Sequence, residues 1–396
     1  MQNGSFYKLS NTIQDYPWGS KTSINELFGI PNPKNEPQAE IWMGAHPKAS
    51  STIIVDGESI ALSEYLTANG EQALGLTTLN HYGELPYLFK VLAAGEALSI
   101  QVHPNKQEAE QGYALENSRG IALDAFNRNY KDANHKPELV FALTPYQAMN
   151  GFRPFADILL NFEKLDAPSL AETVADFASD LSPQGLQTLF RAVLSLENEQ
   201  KIAAIAELLS WCDRHHNNEP LAALIIDLNT IYPNDVGLFA PLLLNVVTLQ
   251  PGQAMFLDAG TPHAYIHGTG LELMANSDNV LRAGLTPKYM DIDELISCCR
   301  FAPLANDKIL TAPEINGCEL RFPVPVDDFA FAIYQKPKTE TIEQQRAEIW
   351  FAVETDVQFS DINGNQITLA KGESVFIPYS TKTFTVTSDG VVARAY

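Results

Sequence analysis

Leu98-Ser-Ile-Gln-Val-His-Pro104 decides how this 396-residue chain is read. In a strand, alternate side chains share a face, so Gln101 and His103 project together while Ile100 and Val102 point the other way. An amide oxygen beside an imidazole on one interior face supplies two arms of a metal site. Lys136-Pro-Glu138 offers the carboxylate that would extend it, and Gly260-Thr-Pro-His263 a second imidazole.

A chain of this length predicts two or three domains rather than one core. Its net charge of −22, from 48 acidic and 26 basic residues, repels nucleic acid and anionic membrane and argues against both as partners. An anionic ligand would need a positive field built locally. Cys212, Cys298, Cys299 and Cys318 have no CxxC spacing, so neither a zinc–thiolate knuckle nor a disulfide framework is expected. The beginning, Met1-Gln-Asn-Gly-Ser-Phe6, carries no signal-peptide pattern. The most apolar run, 236–249, is broken by Pro241 and Asn245 and is too short to span a bilayer. These features predict a soluble, cytoplasmic protein, expected to be a monomer.

Strand-like text fills the first 155 residues, as in Ser51-Thr-Ile-Ile-Val55 and Leu88-Phe-Lys-Val-Leu92. From 156 to 236 the period changes. Leu186, Leu189, Phe190, Val193 and Leu194 recur at helical spacing, as do Ile202, Ile205, Leu208 and Leu209. Ser169-Leu-Ala-Glu172 reads as a capping box and Ser182-Pro183 as an N-cap before a first-turn proline. Strand text resumes at Leu242-Leu-Leu-Asn-Val-Val-Thr-Leu249, within a part bounded at 237–310, and continues through 311–396. The prediction is a mainly β protein with a helical insertion of four or five helices.

A repeat lies within the strand-rich parts. Gly252, five residues, Asp258-Ala-Gly260, two residues and His263 match Gly372, five residues, Pro378-Tyr-Ser380, two residues and Thr383. Upstream, Gly95 and five residues lead into Gln101-Val-His103. These spacings resemble the two motifs of the cupin barrel, a small jelly roll. Two such barrels are expected, one discontinuous over 1–155 and 237–310, the other over 311–396. Thr383 in the histidine slot leaves the second barrel without metal ligands.

Cupin spacing alone nominates Glu108 as the carboxylate ligand. Pro104 ends the strand first, however, whereas Glu138 opens the strand-like Glu138-Leu-Val-Phe-Ala-Leu143. The expected set is Gln101, His103, Glu138 and His263 around one ion with an open position. Such ligands suit one catalytic zinc per chain, without excluding iron, manganese or cobalt. His46, before a proline, reads as a loop residue; His81, His215 and His216 read as solvated, and His267 as barrel support.

Tyr16-Pro-Trp-Gly19, Glu40-Ile-Trp-Met-Gly44, Gln101-Val-His-Pro104, His135-Lys-Pro-Glu138 and the run from Asn276 to Lys288 together resemble the type I phosphomannose isomerases. The resemblance extends over nearly the full length. It implies zinc at the same four ligands and a sugar-phosphate substrate. It also places Arg282, His135, Lys136 and Asp278 at the reacting sugar, with Lys288 and Trp18 expected to contact the substrate. The chemistry agrees with that set: an aldose–ketose isomerisation needs a Lewis acid, a base that moves a proton between C1 and C2, and a cation for developing negative charge. An iron(II) oxygenase is the competing reading of two His and a carboxylate. A fourth protein ligand and the Arg/Lys cluster count against it, and the cluster also counts against a non-catalytic sugar-binding barrel.

Overall fold

The 13-residue strand His263–Ala275 organises the first domain of the computed structural model, which describes residues 5–396. Its C-terminal half runs antiparallel to Tyr87–Ala94 on one side and Glu138–Ala142 on the other. Its N-terminal end lies instead between Tyr146–Phe152 and Gln101–Val102. One strand serves both sets because its register breaks between Tyr265 and His267, next to Gly268. Gly268 has φ 126°, and a Cβ there would lie 2.6 Å from the Pro145 carbonyl oxygen. Only glycine makes this corner without strain.

Ten strands join this sheet. Glu40–Met43, Tyr87–Ala94 and Glu138–Ala142 are buried along their whole length, so they read as continuous apolar runs instead of alternating ones. Ile100 and Val102 point into a core shared with the helices, which leaves Gln101 on the opposite face, as the alternation predicts.

The insertion consists of helices Phe155–Leu165, Ala171–Ser179, Pro183–Leu194, Asn198–His215 and Pro220–Ile231. Leu186, Leu189, Phe190, Val193 and Leu194 are buried, whereas Ile202 is 68% exposed. Ser182 caps its helix through the Gly185 amide. The box expected at Ser169 does not form: Ser169 lies in a 3-10 turn, its hydroxyl donates to Glu207 at 2.6 Å, and the helix begins at Ala171. A competing carboxylate from a neighbouring helix took the serine. Helical turns continue through Ala240–Leu243, so strand structure resumes at Leu244, two residues after the expected Leu242. No helix among the described residues is long and apolar enough to cross a membrane.

In the last domain a seven-stranded and a four-stranded sheet face each other. Trp350, Phe359, Phe384, Val386 and Val392 fill the space between them. Their strand neighbours Ile349, Phe351 and Ala393 point outward, against Phe89, Phe141 and Leu271 of the first domain. Period two thus gives one face to the sandwich and the other to a core shared between domains. The first strand of the chain, Tyr7–Leu9, pairs with Ser374–Ile377 and so extends this last sheet, although the sequence places it with residues 1–155. Nothing local to Tyr7-Lys-Leu9 specifies which sheet edge receives it.

Gly268→Ala is predicted to lower stability by about 1–3 kcal/mol from backbone strain alone. Thr383→Val, in the slot expected to hold no metal ligand, should stay within about 0.5 kcal/mol. Urea unfolding of the two variants checks both values.

Candidate metal centre and active site

Glu138 lies between two imidazoles: His103 Nε2 is 3.5 Å from its Oε1 and His263 Nε2 is 3.4 Å from its Oε2. All three residues are buried, and one ligand atom from each falls within 4.8 Å of the others. Each ring is held from behind. His103 Nδ1 contacts the Asn279 carbonyl at 2.8 Å, and His263 Nδ1 the Thr261 carbonyl at 2.9 Å. A carbonyl only accepts, so each Nδ1 carries the hydrogen and each Nε2 turns a lone pair towards Glu138.

His103 Nε2 is buried without a hydrogen-bond partner, an arrangement that is costly unless something fills the gap. Burial, aided by Lys136, pulls the His103 imidazole down to about 4, so it stays neutral. Burial would raise Glu138, but Lys136 and the imidazoles outweigh it and hold the carboxyl well below its ordinary value. Two imidazoles and a carboxylate converging on one point fit a divalent cation. Gln101 is the direct cross-strand partner of His263, so their side chains share a face. Its amide nitrogen donates to Ser99 Oγ at 3.4 Å, leaving the amide oxygen for the centre. Glu108 is occupied elsewhere: it completes a capping box with Asn105 at the start of helix Lys106–Ser118.

Asn279 is fully buried and ties the centre to its surroundings. Its carbonyl holds His103, its Oδ1 accepts from the Lys131 amide at 2.6 Å, and its Nδ2 donates to the carbonyls of Asp132 and Asn134 at 2.8 and 2.9 Å. The segment leading to Lys136 and Glu138 is therefore fixed to the one that carries Asp278 and Arg282.

A cavity of about 60 Å³ opens beside the cluster, lined among others by Gln101, Lys136, Glu138, His263, Lys90 and Tyr265. Lys136 Nζ is 3.0 Å from Glu138 Oε1. Lys90 is buried, 2.8 Å from Glu272 and 3.6 Å from Glu40. Burial alone would lower its pKa, yet Glu272 and Glu40 overcome this and keep it an ammonium. Tyr265 donates to Glu272 at 2.9 Å and lies 3.3 Å from Glu138 Oε2. Burial and the carboxylates Glu138 and Glu272 push its phenol well up, so it remains a donor.

Glu40 also accepts from the Trp42 indole at 2.5 Å, and Trp42 is the cross-strand partner of Lys90. The last domain repeats this device. Glu348 accepts from the Trp350 indole at 2.7 Å, Trp350 pairs across strands with Arg394, and Arg394 bonds Glu348 at 2.6 and 3.0 Å. In each copy the cation lies 5.5 Å from the tryptophan ring centre.

Arg282 flanks Gln101 on the side opposite His263. Burial lowers its pKa, and its Nε has no partner among the described residues. Asp278 is 2.7 Å from Lys48 Nζ and 3.9 Å from His46 Nε2. Burial lowers Lys131 and Lys288, and both also feel Lys48 and Arg282. Four cations thus gather here, against the charge of the whole chain.

His135 lies apart. Its Nε2 is 3.0 Å from both oxygens of Asp328, and it lines a separate cavity of about 880 Å³ with Asn105, Asp132 and Asp258. Trp18 is half-buried against the core that holds Leu92 and Tyr265, and its carbonyl accepts from Gly95 and Glu96. His46, read as a loop residue, is buried edge-on against Trp42. His267, read as barrel support, is exposed; the buried amide beside His263 is Asn150. The sequence reading missed Lys90, Glu40, Glu272, Tyr265, Asn279, Lys48 and Lys131. A lysine inside Leu88-Phe-Lys-Val-Leu92, a glutamate inside Leu271-Glu-Leu273 and the twice-used Glu-Ile-Trp at 40–42 and 348–350 were the available signals.

His263→Ala and Glu138→Ala are predicted to lose bound metal, and Glu108→Ala to keep it, in elemental analysis of purified protein. Asn279→Ala, which keeps the backbone carbonyl behind His103 but removes the side-chain bonds that fix that carbonyl's segment to residues 131–134, should weaken metal affinity about 10- to 100-fold in chelator competition.

Three family descriptions match in order along the chain. They are "Phosphomannose isomerase type I, catalytic domain" at residues 6–155, the helical insertion domain of the same family at 163–244, and "Mannose-6-phosphate isomerase, cupin domain" at 318–396. The mannose-6-phosphate isomerases of Salmonella typhimurium and Escherichia coli are each 48% identical over 391 residues, 98% of this chain and 99% of theirs. That of Rattus norvegicus is 34% identical over 86% of this chain and 84% of its own. The structure of the Salmonella typhimurium enzyme bound to fructose 6-phosphate and zinc superposes with a TM-score of 0.94 at 47% identity, covering 99% of both chains. With its catalytic, helical and cupin parts each matched and its identity sustained from end to end, the chain belongs to the type I phosphomannose isomerases.

Proposed function

We propose that the chain interconverts mannose 6-phosphate and fructose 6-phosphate by proton transfer through an enediol, with zinc held by Gln101, His103, Glu138 and His263. The observation that carries this reading is the pair of back-fastened imidazoles turned on Glu138, opening on a cavity that holds Lys136 and the fixed ammonium of Lys90. The relative from Salmonella typhimurium, bound to fructose 6-phosphate and zinc, supports the substrate and the metal. Bound there, zinc supplies Lewis acidity towards the sugar oxygens.

The chain's own groups account for the remainder. Arg282, Lys288, Lys48 and Lys131 form the positive region that an anionic phosphorylated sugar requires. For the proton transfer, the C2–H bond of the open-chain aldose breaks and its electron pair forms the C1–C2 double bond. The proton returns to C1 as the C2 carbonyl forms, and the hydroxyl proton on O2 passes to O1. Of the three candidate carriers, Lys136 reaches the cavity beside Glu138, while Asp278 is engaged by Lys48 and His135 by Asp328. Lys136 is therefore the proposed carrier. Lys90, locked as an ammonium, serves as a hydrogen-bond donor to the developing oxyanion, while the Tyr265 phenol stays committed to Glu272 and holds that carboxylate beside Lys90. Trp18 and Lys288 bound the substrate site.

A coupled assay with fructose 6-phosphate tests the activity directly. Turnover in D₂O should place solvent deuterium at C1 or C2 of the product; complete retention of the substrate's own hydrogen would mean a hydride shift instead. Arg282→Ala should reduce kcat by about 10²–10³ with unchanged metal content. A rise confined to KM would reassign Arg282 to ground-state phosphate binding.

A further inference from the structure

We infer that Asp328, supplied by the last domain, is a positioning residue for the isomerase site, acting through His135 on the segment that presents Lys136. The inference rests on the proposed role of Lys136. Residues 131–137 have no helix or strand structure, and regular pairing begins only at Glu138. Their placement therefore depends on side-chain contacts. On one flank the Asn279 side chain takes the Lys131, Asp132 and Asn134 backbone, and Asp132 Oδ2 accepts from the Asp278 amide at 2.7 Å. On the other flank the contact is His135 with Asp328.

Asp328 is 6% exposed, and His135 is its one hydrogen-bonding partner among the described residues. A carboxylate removed from water to this degree needs a donor, and a single, symmetric partner makes the pair directional. The carboxylate is itself anchored. Phe329, the next residue, is buried in the core shared between the domains, and Ala330 exchanges backbone hydrogen bonds with Tyr396. Asp328 can therefore hold His135 against a rigid reference, and Lys136 is the next residue in the chain. The last domain, although it lacks metal ligands, thus completes the site that it packs against.

The test compares wild type with Asp328→Asn, His135→Ala and the double variant, all as zinc-loaded full-length protein. Asp328→Asn should lower kcat about 10-fold, the low end for loss of an orienting partner, with KM within about threefold and zinc content unchanged. The double variant should be no slower than His135→Ala alone, since one residue acts through the other. Exchange of the His135 Nε2 proton, followed by NMR, should quicken in Asp328→Asn; this readout reports the contact independently of turnover. An unaltered kcat in Asp328→Asn, losses that multiply in the double variant, or an exchange rate equal to wild type would overturn the inference. A wild-type protein inactive on fructose 6-phosphate would refute the proposed function, whereas an active one with indifferent Asp328 would refute only this inference.

Discussion

Two backbone carbonyls, those of Asn279 and Thr261, set the chemistry of this molecule by taking the Nδ1 hydrogens of His103 and His263. Everything at the centre follows from that constraint. With both Nδ1 atoms committed, the Nε2 atoms face Glu138, and a carboxylate buried there is stable only with added positive charge. Lys136 contributes part of it at 3.0 Å, and the orphaned His103 Nε2 marks where more is required. The carbonyls are in turn held by the fold. Thr261 lies in the corner that leads into the long strand, where the Gly260 amide bonds the His103 carbonyl at 2.9 Å. Asn279 belongs to the buried network that also fixes Asp132 and Asn134.

The pocket floor uses charge in a different way. Lys90 is surrounded by Glu40 and Glu272, so its charge is permanent and its geometry rigid. The equivalent Arg394–Glu348–Trp350 arrangement in the last domain satisfies its charges internally and lines no cavity described above. The same cassette therefore serves a site in one domain and stability in the other. The difference lies in the second carboxylate: Glu272 reaches past Lys90 to Tyr265 and so towards Glu138, whereas Glu348 is the main carboxylate partner of Arg394, with Glu319 at 3.8 Å.

The clustering of His103, Glu138 and His263 was legible because strand alternation and motif spacing are local properties, and Pro104 together with the strand-like run after Glu138 favoured Glu138 over Glu108. The helical insertion was legible for the same reason, through its 3.6-residue period. Non-local matters were not. Lys90, Tyr265 and Asn279 acquire roles only when strands distant in sequence pair, and the strand Tyr7–Leu9 pairs with Ser374–Ile377 almost a full chain length away. Ser169 had the pattern of a cap but met Glu207 first. His135 sits beside Lys136 in sequence, yet its ring turns away to Asp328, a direction that no spacing rule specifies.

As proposed above, the buried His–Glu–His cluster forms a single metal centre completed by Gln101. Anomalous diffraction at the zinc absorption edge, on crystals of the zinc-loaded protein, tests it most directly. One strong peak per chain is expected, at coordination distance (about 2.0–2.2 Å) from His103 Nε2, His263 Nε2, Glu138 and the Gln101 amide oxygen. A dominant peak at Glu108, or among Asp132, Asp258 and Asp328 in the larger cavity, with none between the two imidazoles, would contradict it.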